Sequence, residues 1–430
     1  MLVHCVKDCF AYWYRPFPLY HLMLISSAKM HKGKMLIFSV SFSCAVLYIA
    51  VWNYKPGSIF NIFTNPVTSA ENDTTVFERR NYKLVDVQQF VSDAEKGYNT
   101  LDTRNMNVTF KVLWYNRPTW HGYNEDLCHI NMNRCFHSNC VVTNNQSLLR
   151  ESDALIFNAA EPSFPKDLPL SSPERDASQV WIVYGLESPK HYFNENFRSS
   201  KWRSVFNWTM TYRLDSDIQH PYGVLLTNYN PPARDYRAIF RAKKKFAAWI
   251  VSHCNAVSKR DDFIHLLQKY IDVDIFGRCG TKDCTKKSSE CKDNIGKEYK
   301  FYLSFENSLC KDYITEKFFD YVPLDLITVQ RGYSDYDSIL PNNTYLNAAD
   351  FPAILDLAYF MKCLAEDEDQ YIRYLKAKDG YLKKGLSWVY CNALCDICDK
   401  LNNIESHKRS YDDIVTWLEN NTCINANDIK

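Results

Sequence analysis

At 430 residues the chain is longer than one hydrophobic core normally organises, so two domains with appended segments are expected. Lys and Arg number 51 against 50 Asp and Glu, and the resulting charge of +1 removes the electrostatic basis for binding nucleic acid or an acidic membrane surface. Aromatic residues make up 15 %, which suits a sugar-handling cleft but equally a filled core.

Residues 1–34 read as a cytoplasmic tail, with Lys29, Lys32 and Lys34 at its end. Met35–Trp52 is an uncharged, mostly apolar run of 18 residues. As a helix it would measure about 27 Å, enough to cross a thin bilayer. The basic flank places the amino end in the cytosol and the rest in the lumen, as a type II signal anchor; no small-residue cleavage site follows Trp52. Luminal residence has two expected consequences. Glycosylation sequons stand at Asn72, Asn107, Asn145, Asn207, Asn342 and Asn420, all beyond the anchor. Three of the 16 cysteines precede or lie in the span, which leaves 13 for an oxidising compartment, at least one of them outside any intramolecular pair. Of the clusters Cys279/Cys284/Cys291 and Cys391/Cys395/Cys398 with Cys423, only Cys395 and Cys398 have zinc-like spacing, so disulfides are favoured over a metal.

Residues 53–106 are polar, without apolar periodicity, and read as a luminal stem. A first α/β domain is expected over 107–232, with strands in Val108–Tyr115, Ala154–Phe157 and Val180–Tyr184. Pro231-Pro232 breaks the chain, and a second α/β domain is expected over 233–400. Its expected elements are an amphipathic helix at Arg241–Ala256, strands at Val273–Gly277, Tyr299–Phe305 and Leu326–Val329, and a helix at Thr315–Tyr321. Residues 401–430 read as a Cys-containing tail. The alternation is Rossmann-like, but neither GxGxxG nor a Walker A loop is present.

The segment Tyr299–Lys317 carries the chemistry. A strand running into Glu306-Asn307-Ser308 delivers polar groups to the carboxyl edge of a parallel sheet, where ligands of such folds sit. A helix opening at Asp312–Lys317 would offer free N–H groups to a diphosphate, with Lys317 adding a full charge and Glu316 reaching ribose hydroxyls. Plain helix capping by Asp312 or Thr315 explains the same residues equally well.

This stretch, FYLSFENS followed by DYITEK, resembles the signature of the α1,3-fucosyltransferases, glycosyltransferase family 10. Leu-Glu-Ser-Pro at 186–189, Phe206–Ile218 with Pro221-Tyr-Gly223, and Lys243–Cys254 with Arg260 resemble further blocks of that family. The resemblance implies an α/β fold of glycosyltransferase-B type, two Rossmann-like domains behind a transmembrane helix and stem. It implies inverting transfer of fucose from GDP-fucose to a hydroxyl of a glycoprotein glycan, O3 of GlcNAc being the expected position. It assigns Glu187 as the base, Arg260 and Lys317 to the diphosphate, Glu316 to ribose, and Asn307 and Tyr313 to the donor pocket. No cofactor is required and a divalent cation is at most stimulatory; the Asp215-Ser-Asp217 pair is assigned a structural role. The partners are then GDP-fucose, a glycan acceptor and the Golgi membrane through one helix, with no nucleic acid. The chain departs from the family at Leu214, at Asn158-Ala159-Ala160 and at the polar Thr328 and Gln330. These departures motivate one alternative, a catalytically inactive glycan-binding or regulatory relative.

Overall fold

The computed structural model describes residues 108–118, 135–171, 173–191, 194–284 and 289–429. The expected tail, anchor and stem, with Asn72 and Asn107, lie outside the described residues, among which no helix is long and apolar enough to cross a membrane.

Six strands, β1 (Phe110–Trp114), β2 (Cys140–Thr143), β3 (Ala154–Asn158), β4 (Val180–Gly185), β5 (Trp208–Thr211) and β6 (Ile218–Gln219), form one parallel sheet in the order β2-β1-β3-β4-β5-β6. β3 and β4 are buried along their whole length, which is why they read as unbroken apolar runs rather than alternating ones. The chain leaves through β7 (Gly223–Thr227) and the short helix Tyr236–Ala242, whose first turn is capped by Asp235 accepting from Ala238 N at 2.9 Å.

The second parallel sheet holds β8 (Lys245–Ile250), β9 (Val273–Phe276), β10 (Tyr299–Phe305), β12 (Ile327–Arg331) and β13 (Tyr345–Asn347), in the order β13-β12-β10-β8-β9; β11 (Leu309–Cys310) lies outside it. Counted from its own first strand, each sheet begins 2-1-3-4-5, the flavodoxin-like doubly wound order. The chain then returns through β14 (Tyr381–Gly385), antiparallel to β7, and ends with β15 (Cys423–Ile424) on β11.

One expectation is overturned. Arg241–Ala256 is not a helix: it splits into the end of helix Tyr236–Ala242 and strand β8. Ala247, Ala248 and Trp249 are all buried, because β8 lies between β10 and β9 with both faces covered, and that continuous burial outweighs the helical propensity of its alanines.

The last tenth of the chain belongs to the first sheet. Helix Leu386–Asn402 packs Tyr390, Leu394, Ile397 and Leu401 against Val112, Ile156 and Ile182 on one face, while Ile414 and Leu418 join Phe157, Trp181 and Phe206 on the other. Residues 386–400 and the expected tail at 401–430 therefore complete the first domain's core, and Cys135–Cys395 and Cys140–Cys398 fasten the returning helix. Cys254–Cys279, Cys284–Cys291 and Cys310–Cys423 close three further loops.

Candidate active site

In sheets of this order the ligand crevice opens at the carboxyl ends of the strands flanking the first crossover, here β8 and β10. β8 leads through His253 to Arg260, the first residue of helix Arg260–Leu267, and β10 runs into Glu306, Asn307 and Ser308. The end of β4 delivers Glu187 from the first domain. A cavity of about 320 Å³ lies between them, and all six residues expected to serve catalysis or donor binding line it: Glu187, Arg260, Asn307, Tyr313, Glu316 and Lys317. A larger cleft of about 720 Å³ opens at the amino ends of β8, β9 and β10, away from this edge. Three of its lysines are engaged by protein: Lys243 donates to Gly296 O, Lys245 pairs with Glu298 at 2.5 Å, and Lys300 donates to Ala365 O.

The donor side is organised by a carboxylate to which the sequence assigned no role. Glu306 is fully buried; its Oε1 accepts from Thr315 N at 2.9 Å, both its oxygens lie 3.0 Å from Thr315 Oγ1, and its Oε2 lies 3.2 Å from Lys317 Nζ. Thr315 caps the single-turn helix Glu316–Phe319, as expected of one of the two candidate caps, and also orients Lys317, whose Nζ lies 2.8 Å from Thr315 Oγ1. Burial pushes the Glu306 carboxyl up, against the pull of Lys317. Burial would lower the Lys317 ammonium, but Glu306 and Glu316 outweigh it and hold it above its ordinary value.

Arg260 is almost fully buried, its Nη1 donating to Phe305 O and its Nη2 to His253 O, each at 2.9 Å. Those bonds fix the guanidinium at the edge of the sheet and leave Nε buried without a partner, as is Asn307 Oδ1; both residues border the cavity. Asp312, at φ 60°, makes the left-handed turn before Tyr313, and its Oδ2 accepts from Leu214 N at 3.1 Å. That backbone bond needs no particular side chain at 214. Tyr313 OH then donates to Glu187 Oε2 at 3.2 Å, and Tyr222 OH to Leu186 O at 2.9 Å. Gly223 admits Phe319 beneath the crevice: a Cβ there would meet Phe319 Cγ at 2.6 Å and Lys384 O at 2.9 Å. Ser188 Oγ and Ser308 Oγ, 2.8 Å apart, link the two domains, and His191 Nε2 lies 3.2 Å from Ser308 Oγ.

Asp215 and Asp217 are occupied by protein. Arg213 grips Asp215 through two nitrogens, at 2.8 and 2.6 Å, while Asp217 accepts from Thr209 N, Tyr411 OH and Arg409. Among the described residues no group of three or more His, Cys, Asp or Glu is arranged to hold a metal ion. Thr328 and Gln330 are fully buried in β12, in register with Tyr302 and Ser304 of β10.

Of the described sequons, Asn145 caps a helical turn at the surface, while Asn342 and Asn420 are exposed. Asn207 is engaged internally: Oδ1 accepts from Trp181 N at 2.9 Å and from Arg175, and Nδ2 donates to Arg409 O.

The fucosyltransferase N-terminal family model matches residues 107–223, and the C-terminal model of glycosyltransferase family 10 (fucosyltransferase) matches 240–417. Alpha-(1,3)-fucosyltransferase C of Drosophila melanogaster is 36 % identical over 307 residues, 65 % of this chain and 69 % of that protein. Alpha-(1,3)-fucosyltransferase 7 of Homo sapiens is 31 % identical over 284 residues, 65 % of this chain and 78 % of its own. A crystal structure of an α1,3-fucosyltransferase with GDP-fucose aligns over 69 % of this chain and 91 % of its own, at 16 % identity and a TM-score of 0.44. On the two family models and these relatives together, the chain belongs to the fucosyltransferases of glycosyltransferase family 10.

Proposed function

We propose that this fucosyltransferase moves fucose from GDP-fucose to O3 of a GlcNAc in a glycoprotein glycan, inverting the anomeric centre, and that its two sheets form a glycosyltransferase-B fold. The observation that carries the reading is the convergence of Glu187 from one domain with Arg260, Asn307, Tyr313, Glu316 and Lys317 from the other around one cavity.

In this account Glu187 removes the acceptor hydroxyl's proton as the oxygen attacks the anomeric carbon, so that one displacement inverts it. The carboxylate is oriented by Tyr313 OH, which leaves its second oxygen for the acceptor. Negative charge develops on GDP as the glycosidic bond breaks, and Arg260 and Lys317 stabilise it without rearranging, because Phe305 O, His253 O, Thr315 and Glu306 already hold them. Those two cations make the reaction independent of a divalent metal in this reading, and the occupied carboxylates of Asp215 and Asp217 support it. The disulfides support residence in an oxidising lumen, with the chain held at the Golgi membrane by 35–52.

The reading is tested by incubating the protein with GDP-fucose and a panel of N-glycans, with and without EDTA. A fucosylated GlcNAc product, formed equally in both, supports it; hydrolysis without transfer, or abolition by EDTA and rescue by manganese, overturns the corresponding part.

A further inference from the structure

Charge balance in the crevice is incomplete for the ligand proposed to enter it. Lys317 already faces two carboxylates, Glu306 at 3.2 Å and Glu316 at 3.3 Å, and Glu187 stands on the opposite wall. With Asp320 and Lys292, which also line the cavity and pair at 2.5 Å, four carboxylates stand against three fixed cations, Arg260, Lys292 and Lys317, before a doubly anionic diphosphate arrives. Water is largely displaced when such a ligand fills a cavity of about 320 Å³, so uncompensated charge there is costly.

Two histidines are placed to correct the balance. His191 closes the short helical turn Pro189–His191 directly after the Glu187-Ser188 pair, in the first domain. His253 follows β8 in the second and borders the cavity. Their rings meet edge to face at the boundary between the domains, centroids 5.4 Å apart and planes at 61°, while His191 Nε2 rests 3.2 Å from Ser308 Oγ. The charged groups around the pair are Glu187 on the His191 segment, Arg260 beneath His253, Glu316, Lys317 and Asp320 at the donor helix, and Lys292 on the cavity wall. Burial lowers the half-buried His191 imidazole and Glu187 opposes this, with His253, Arg260 and Lys317 adding to the lowering. An anion set among these cations reverses the sign of the field they feel.

We propose, resting on the donor reading above, that His191 and His253 are a second anion-holding arm for the diphosphate, one from each domain, and that binding of the donor is accompanied by uptake of a proton at this pair. Each histidine alone is a modest anion ligand near neutrality. In contact with each other, they repel when both are charged, and a diphosphate lying beside both rings offsets that repulsion.

The test is titration calorimetry of the chain with GDP-fucose, acceptor omitted, in two buffers of different ionisation enthalpy at about pH 7, where histidine titrates and a diphosphate diester does not. The expected result is net proton uptake, with affinity rising between about pH 8 and about pH 6 by at most about tenfold per pH unit for one proton. In the His191→Gln and His253→Gln variants, each checked for an unchanged unfolding midpoint without ligand, uptake falls and the pH slope flattens. Gln at 191 keeps a donor toward Ser308, so loss of folding is not the expected outcome; if one variant does unfold, the other decides. Binding without proton uptake overturns the proposal, as does uptake that both variants retain, which would place the proton on Glu306. No binding at any pH overturns the donor site itself.

Discussion

Tyr313 OH donates to Glu187 Oε2 at 3.2 Å, so a residue of the donor-binding segment holds the proposed base across the boundary between the two domains. A charge-assisted bond of this kind contributes about 1.5–3 kcal/mol. Tyr313→Phe keeps the ring packed beside Tyr212 and Tyr222 and loses only the hydroxyl. The expected outcome is an intact fold and a kcat lower by about 10- to 100-fold, with KM for GDP-fucose changed far less; steady-state kinetics of the variant check it.

The Glu306, Thr315 and Lys317 cluster predicts a different signature. Thr315→Val removes two hydroxyl contacts to Glu306 and one to Lys317 Nζ, leaving a buried carboxylate with fewer donors. The expected cost is about 1–3 kcal/mol of stability together with weaker GDP binding, measured by thermal unfolding with and without GDP.

The carboxyl end of the chain is expected to matter to the site despite its distance in sequence. Asp428 makes two bonds of 2.7 Å to the buried guanidinium of Arg331, which donates in turn to Ser258 O, while Ser258 Oγ donates to Glu306 O. Asp428→Ala leaves that buried charge without its anion, an expected loss of about 2 kcal/mol, discounted because Asp428 is itself partly exposed. Cys423→Ser opens the link to Cys310, separated by 113 residues, at a further expected cost of about 2–4 kcal/mol. Denaturant unfolding of each variant measures these losses.

Lys378 predicts how stability varies with pH. It is buried and donates to Leu324 O at 2.5 Å and to Leu326 O, and burial pulls its ammonium from 10.5 down to about 7. Between those two values the unfolded chain carries a proton that the folded chain has released, so stability rises with pH across that window and the penalty is complete below it. Lys378→Met is expected to flatten the rise in unfolding midpoint between about pH 7 and about pH 9; an unchanged slope would assign the rise to another group.

Much of the donor side was legible in the sequence because it is contiguous: a buried strand, its polar exit and a capped helix all fall within Tyr299–Lys317. Glu187 lies 126 residues from the tyrosine that orients it, and no local pattern encodes that contact; only the family resemblance singled it out. Glu306 was visible as a polar residue at a strand end, but its burial is a property of the packed crevice. His191 and His253 carried a faint signal, His191 two residues beyond one resembling block and His253 inside another, and their contact depends on how β4 and β8 end. β8 was misread because Ala, Trp, Ile and Val in succession suit a helix and a doubly covered strand alike, and neighbouring strands decide between them. The return of Leu386–Asn402 to the first sheet was hidden for the same reason, since its apolar face is visible in sequence but its partner is not.

The most direct test of the central claim is transfer of fucose from GDP-fucose to an N-glycan panel by the wild-type chain beside Glu187→Gln, with GDP-fucose binding measured in both. The account predicts product from the wild type, about 10²- to 10⁴-fold slower transfer by the variant, and donor binding in each. Equal transfer by both would contradict the assignment of Glu187, and absence of transfer by a wild type that binds GDP-fucose, on every GlcNAc-bearing glycan, would contradict the proposed reaction.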